Sequence, residues 1–336
     1  MIEFEGVVKD FPGGVRAVDA LDLTVEKGEI SVLIGPSGCG KTTSMRLVNR
    51  LIPLTSGRIT VDGRDNLEFA PEELRRKIGY AIQQIGLFPH MTVGQNVAVV
   101  PRLLGWEEQR VRQRVDGLLE LVGLDPDVQR DVYPRQLSGG QQQRVGVARA
   151  LGADPPIMLM DEPFGAVDPI TRAVLQDEFL QIQATIAKTV LFVTHDIDEA
   201  IKMGDRIAVM RTGRLVQYAT PDELLAQPAD DFVRAFVGGD RHLKRLGLVR
   251  VRDVMAEPDE RTPELDGEAV LEHTSVRDAL SVLVGRGFDA TPVVDAQGRL
   301  CGVITLNGLR AAVRRAARER ASEERASVER AAEGEA

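Results

Sequence analysis

A short, β-branched and largely apolar run, Ile30-Ser-Val-Leu-Ile34, opens directly into Gly35-Pro36-Ser37-Gly38-Cys39-Gly40-Lys41-Thr42-Thr43. The run reads as a buried strand, and a helix is predicted to start near Lys41. Strand, glycine-rich turn and helix N-terminus in that order form a phosphate-binding loop. Glycines at the turn let successive backbone N–H groups converge on β- and γ-phosphates, and the helix dipole favours negative charge at the same place. Lys41 adds a point charge, and the Thr42 hydroxyl is a natural Mg²⁺ ligand. A glycine-rich turn without function is the alternative, and the strand and helix on either side argue against it.

The same logic organises residues further on. Ile157-Met-Leu-Met160 reads as a second strand, ending in the carboxylates Asp161 and Glu162, and Val190 to Val193 as a third. Asp161 suits a place in a Mg²⁺ shell and Glu162 suits a general base that polarises water. Two acids after a strand are by themselves more often a turn or a cap, and the upstream loop is what favours the catalytic reading. A helix spans about Thr171 to Ile186. Another, amphipathic, runs from about Glu107 to Val122, where Val111, Val115, Leu118, Leu119 and Val122 recur at helical spacing among charges. Strands alternating with helices predict an α/β chain with a largely parallel sheet.

Composition excludes several classes. An apolar fraction of 43% with 28% charged residues describes a folded globular chain. The longest apolar runs fall far short of the roughly 20 residues that span a bilayer. The N-terminus has no basic segment followed by an apolar stretch, so a cytoplasmic location is expected. Cys39 and Cys301 are not clustered with histidines at metal-ligand spacing. A net charge of −9 argues against a nucleic-acid partner.

Leu137-Ser138-Gly139-Gly140-Gln141 precedes the second strand and opens a helix expected over Gln142 to Leu151. With this pentapeptide the chain resembles the ATP-binding cassette (ABC) family, whose signature it is. The resemblance covers residues 1–238 and implies a P-loop NTPase fold of the ABC ATPase type with a helical subdomain. It also implies ATP and Mg²⁺ as cofactors. In that family the signature meets the γ-phosphate held by the other subunit of a homodimer, which assigns Ser138, Gly139, Gly140 and Gln141 to nucleotide binding with Phe11 and Gly35 to Thr43. Serine as an N-cap is an equally physical reading, and both can hold. Phe11 matches the aromatic that stacks on adenine. Gln83 matches the glutamine linking Mg²⁺ and water to the membrane partner, on its spacing from Gly79-Tyr80. Ala166-Val167-Asp168 matches the loop that crosses the dimer interface, and His195 the switch histidine. The implied catalytic set is Glu162, His195 and Gln83, and the implied metal set Thr42, Gln83 and Asp161.

Tyr80-Ala-Ile-Gln-Gln-Ile-Gly-Leu-Phe-Pro-His90, Gly165-Ala-Val-Asp-Pro-Ile-Thr171 and Arg214-Leu-Val-Gln-Tyr-Ala-Thr-Pro221 resemble the osmoprotectant, or quaternary-amine, uptake subfamily. Importers of polyamines, methionine or sulfonates share much of this wording. The resemblance implies transmembrane permease subunits, an extracytoplasmic substrate-binding protein and a peripheral position on the cytoplasmic face of the membrane. Quaternary ammonium recognition favours an aromatic cage, and with 4% aromatic residues this chain is expected to leave the solute to another subunit.

After a linker over residues 239–248, the pattern restarts. Thr274-Ser-Val-Arg-Asp-Ala-Leu280, Thr291-Pro-Val-Val-Asp-Ala-Gln-Gly298 and Gly302-Val-Ile-Thr305 look like one small α/β CBS domain over 249–313, rather than the customary tandem pair. Gly308 stands where nucleotide-binding CBS domains place an aspartate, so a packing or dimerisation module is at least as well supported as a sensor. Residues 314–336, mostly Ala, Arg and Glu, read as a charged helical or disordered tail. Between Arg241 and Ala336 there are 16 Lys and Arg against 17 Asp and Glu. Rival readings are an importer of another small solute, a non-transport ABC ATPase acting in translation or DNA repair, and a sensor.

Overall fold

The computed structural model of the chain describes residues 1–81, 86–165, 167–258 and 269–309, which fall into two compact units, Met1–Val237 and Gly238–Ala336. The strands of the first unit are β1 (Ile2–Phe11), β2 (Val15–Val25), β3 (Ile30–Ile34), β4 (Ser56–Val61), β5 (Arg64–Asp65), β6 (Ile78–Ala81), β7 (Ile157–Asp161), β8 (Thr189–Val193), β9 (Arg206–Arg211) and β10 (Arg214–Ala219). They form two sheets, ordered β2-β1-β4-β5 and β10-β9-β3-β8-β7-β6. In the larger sheet every neighbouring pair is parallel except the edge hairpin β9–β10. The other sheet is antiparallel throughout.

Burial explains why the three core strands read so plainly. Every residue of β3, β7 and β8 is buried, as a strand covered on both faces requires, so their sequences are continuous apolar runs rather than alternations. Ile2, Phe4 and Val7 of β1 share one core with Leu33, Leu159 and Leu191 of the parallel sheet. Residues 1–65 alternate short β-rich runs with turn signals in sequence. The structure pairs β1, β2, β4 and β5 in a separate antiparallel sheet: the tight turn Pro12-Gly13-Gly14, with positive φ at both glycines, returns β2 beside β1, and β4 comes back to the other edge of β1.

The expected helices are present as Lys41–Val48, Glu108–Leu121, Gly139–Leu151 and Pro169–Ile186. Gly139–Leu151 starts before the expected Gln142. Ser138 is its N-cap, in a capping box with Gln141, and this offsets the low helix propensity of two glycines in the first turn.

In the second unit β11 (Val270–Leu271) lies parallel to β12 (Ala290–Val294), which pairs antiparallel with β13 (Leu300–Thr305). The Val276–Arg286 helix joins the parallel pair, capped by Ser275 and stopped by Gly287 in the left-handed region. Val251, Val276, Leu283, Val293 and Ile304 are central to its core. Residues 239–248, expected as a linker, contain the Arg241–Leu246 helix, and Leu246 packs on that core. The expected tail, 314–336, lies outside the described residues.

Candidate functional site

The C-terminal ends of β3, β8 and β7 stand side by side, because those strands are neighbours and parallel. Whatever follows each strand therefore meets at one edge of the sheet, where open α/β sheets bind ligands.

From β3 comes the phosphate loop. Pro36, Ser37 and Gly38 form its exposed tip, Cys39 is buried beneath them, and the Cys39 N–H donates to the Pro36 carbonyl. Gly35 and Gly40 have φ of +145° and +107°. A Cβ at Gly35 would stand 2.2 Å from the Met210 carbonyl oxygen, and one at Gly40 2.4 Å from that of Ala17. Only glycine fits either place. Gly40 gives the Lys41–Val48 helix no side-chain cap, so the first-turn amides keep their donors for an anion. The Lys41 Nζ reaches back across the loop to the carbonyls of Gly35 at 2.7 Å and Pro36 at 3.2 Å. Thr43 follows on the first turn.

From β7 come the acids. The Thr42 hydroxyl donates to Asp161 Oδ1 at 3.0 Å. Burial pushes the Asp161 carboxyl up from its ordinary range, and Glu162 adds to this, while the Thr42 hydrogen bond and the charges of Arg46 and Lys41 pull it down. Two hard oxygens side by side at the edge of a phosphate loop fit Mg²⁺, which commonly takes one or two protein oxygens together with phosphate and water. Glu162 has φ +46°, a conformation costing on the order of 1 kcal/mol for a residue with a Cβ. Its N–H is held by the Val193 carbonyl at 2.9 Å, so the strained turn is anchored to β8.

From β8 comes His195. Its Nδ1 lies 3.2 Å from Glu162 Oε2, with the histidine side chain 64% exposed and the glutamate 20%. Asp196 N-caps the Ile197–Met203 helix that follows.

The signature segment stands apart. Ser138 Oγ accepts from the Gln141 N–H and Gln141 Oε1 from the Ser138 N–H, leaving Gly139 exposed and Gly140 half-buried. Among the described residues no hydrogen bond or ion pair joins 138–141 to 35–43. Phe11, 37% exposed, ends β1 with Lys9 Nζ 4.9 Å from its ring centroid. It pairs with Val15, two residues before the Ala17 that backs Gly40. Gln83 and Ala166 lie outside the described residues. Asp168 caps the Pro169–Ile186 helix, and the hydrogen bond from Thr171 holds its carboxyl below the usual range.

An ABC transporter family model matches residues 18–165, and a CBS domain model matches 251–315. The glycine betaine/carnitine/choline transport ATP-binding protein OpuCA of Bacillus subtilis is 50% identical over 305 residues, covering 90% of this chain and 78% of the relative. The chain belongs to the ABC transporter ATP-binding family. The osmoprotectant import ATP-binding protein OsmV of Salmonella typhimurium is 49% identical, over 93% of this chain and 81% of its own. A solved dimeric ATP-binding cassette in a post-hydrolysis state with ADP and Pi superposes with a TM-score of 0.58 at 32% identity, covering 66% of this chain and 99% of that one. Both resemblances read from the sequence, to ABC ATPases of the osmoprotectant type and to a CBS domain, are borne out.

This ABC ATPase also carries residues around the site that the sequence reading passed over. Arg46 lies one helical turn beyond Thr42, and its charge acts on Asp161. Glu199, buried, accepts from Gln176 Nε2 at 2.9 Å and is bonded to Thr194, the residue before His195. Arg172 contacts both the Asp168 loop and Asp196. The i, i+4 spacing of Thr42 and Arg46 could have flagged the first. The others are joined only by the fold.

Proposed function

We propose that two copies of this chain sandwich two ATP molecules and spend their hydrolysis on importing quaternary-amine osmoprotectants such as glycine betaine or choline. The chain would do so from the cytoplasmic face of the membrane, through permease subunits and an extracytoplasmic binding protein. The observation that carries the reading is the convergence of Lys41, the Thr42–Asp161 pair and the Glu162–His195 pair at three adjacent parallel strand ends. Loop amides and Lys41 hold the β- and γ-phosphates, with Phe11 against the adenine. Thr42, Asp161 and Gln83 would hold Mg²⁺, which neutralises phosphate charge when bound. Glu162 accepts a proton as a water oxygen bonds to the γ-phosphorus and the β–γ bridging oxygen leaves with ADP. His195, with Nδ1 toward Glu162, offers its other ring nitrogen to the γ-phosphate. Ser138, Gly139, Gly140 and Gln141 complete the site of the opposite chain.

The test is uptake of radiolabelled glycine betaine into proteoliposomes holding the chain, its permease and its binding protein. Uptake is expected to require internal ATP. ATP hydrolysis with no uptake of any quaternary amine would refute the import reading.

The second unit serves, in this account, to pair with its counterpart and support the ATPase dimer. Leu271, Val284, Phe288 and Leu300 are exposed apolar side chains on it. The near balance of 16 basic and 17 acidic residues from Arg241 onward leaves no excess positive charge to draw it to anionic lipid. At Gly308 the backbone N–H donates to Thr305 Oγ1, with no carboxylate for a ribose. Truncation after Arg241 is expected to weaken dimerisation and leave the salt dependence of uptake in anionic liposomes nearly unchanged. Loss of ionic-strength activation would restore the sensor reading.

A further inference from the structure

Arg172, in the first turn of the Pro169–Ile186 helix, is a half-buried cation outside the set of groups that handle nucleotide. Its Nη2 donates to the Val167 carbonyl at 3.1 Å, and its Nη1 lies 3.5 Å from Asp196 Oδ2. One guanidinium thus holds the loop that follows Glu162 and the residue that follows His195. The planar fork reaches the two with separate nitrogens, whereas a lysine ammonium would have to reach both from a single point at the end of its stem. The buried Nε has no partner among the described residues, so the head is placed by its two Nη contacts rather than by a full set of bonds.

Asp196 is held from two sides. Its Oδ1 accepts the N–H of Asp198 at 2.9 Å and of Glu199 at 3.2 Å as the N-cap of the next helix, leaving Oδ2 for Arg172. The Thr194 hydroxyl accepts the Asp196 N–H at 3.1 Å. His195 therefore projects from a short segment whose flanks are both bonded, and Arg172 is the tie from that segment to the Val167 loop.

We infer that Arg172 is a positioning residue, which couples the placement of Val167 and Asp168 to that of His195 and so makes turnover depend on how that segment is seated. The inference rests on the roles proposed for Glu162 and His195. Arg172 acts through Asp196.

The test is a double-mutant cycle on the full chain, reading ATP turnover and nucleotide affinity. Arg172→Met removes both bonds. Asp196→Asn keeps a competent N-cap, because asparagine caps as well as aspartate, and removes the ion pair alone. Each is expected to lower kcat several-fold with KM for ATP within twofold of wild type. The double variant is expected to be no slower than the slower single, since both break one connection. Arg172→Lys, which keeps the charge and the stem, is expected to recover part of kcat. Effects that multiply, a change in KM alone, or unchanged kcat in both singles would overturn the inference. Glu162→Gln and His195→Ala are assayed in parallel. If those two lose turnover while Arg172→Met does not, the coupling fails and the site reading stands; if those two turn over normally, the site reading itself has failed.

Discussion

Glu162→Gln is expected to lower ATP turnover about 10²- to 10⁴-fold, the range a general base supplies, while ATP still binds. The substitution keeps the size of the side chain and the strained φ of +46°, and Nε2 or Oε1 can still face His195. What it removes is the ability to take a proton from water. The neighbouring Asp161 is not placed to substitute, because its carboxylate is turned toward the Thr42 hydroxyl. Phosphate release under saturating MgATP, beside a nucleotide titration, measures both halves. Turnover within a few-fold of wild type would remove Glu162 from the mechanism.

Lys41→Ala and His195→Ala are expected to fail in different ways. Lys41 is 7% exposed and bridges the loop to its own carbonyls, so its loss removes a charge facing the phosphates and a brace that shapes the loop. Hydrogen bonds to charged groups contribute roughly 1.5–3 kcal/mol, which corresponds to a rise in Kd of about tenfold to a hundredfold. His195 is exposed, and its described ionic contact is with Glu162. Its removal is expected to leave nucleotide Kd within twofold and to reduce turnover on the order of a hundredfold, as loss of one preorganised transition-state donor does. Equal nucleotide affinity in wild type and Lys41→Ala would contradict the loop assignment, and weak binding by His195→Ala would place the histidine in the ground state.

The parallel core was legible because its strands are buried on both faces. A strand such as Ile157–Asp161 has no solvent side to obscure its apolar run, and each core strand ends abruptly in a loop of different chemistry. The phosphate loop was legible for a related reason: Gly35 and Gly40 are dictated by backbone packed against Met210 and Ala17, so the letters record a steric demand. The antiparallel sheet was less so. Its pairing carries register irregularities, after Phe4, Val7 and Lys9 against β2 and after Glu5 against β4, that no local pattern announces. The contacts behind His195 were invisible for another reason. Arg172, Gln176, Asp196 and Glu199 sit on two helices, and nothing in an arginine or a buried glutamate at such separations marks them as partners until the sheet brings β7 and β8 together. The Glu162–His195 contact lay between the two cases, both residues being matched to family motifs while their distance came only from the fold.

In the proposed dimer one chain's phosphate loop is completed by another chain's Ser138–Gln141. That segment is tied up in its own capping box and makes no hydrogen bond to its own chain's loop among the described residues, and in the proposed dimer each monomer would contribute one half of each site. Light scattering of Glu162→Gln with and without saturating MgATP tests this most directly, because removing the base should trap the closed state. A monomer without nucleotide and a dimer of twice the 36.7 kDa chain mass with it are expected; a monomer at saturating MgATP would refute the shared site.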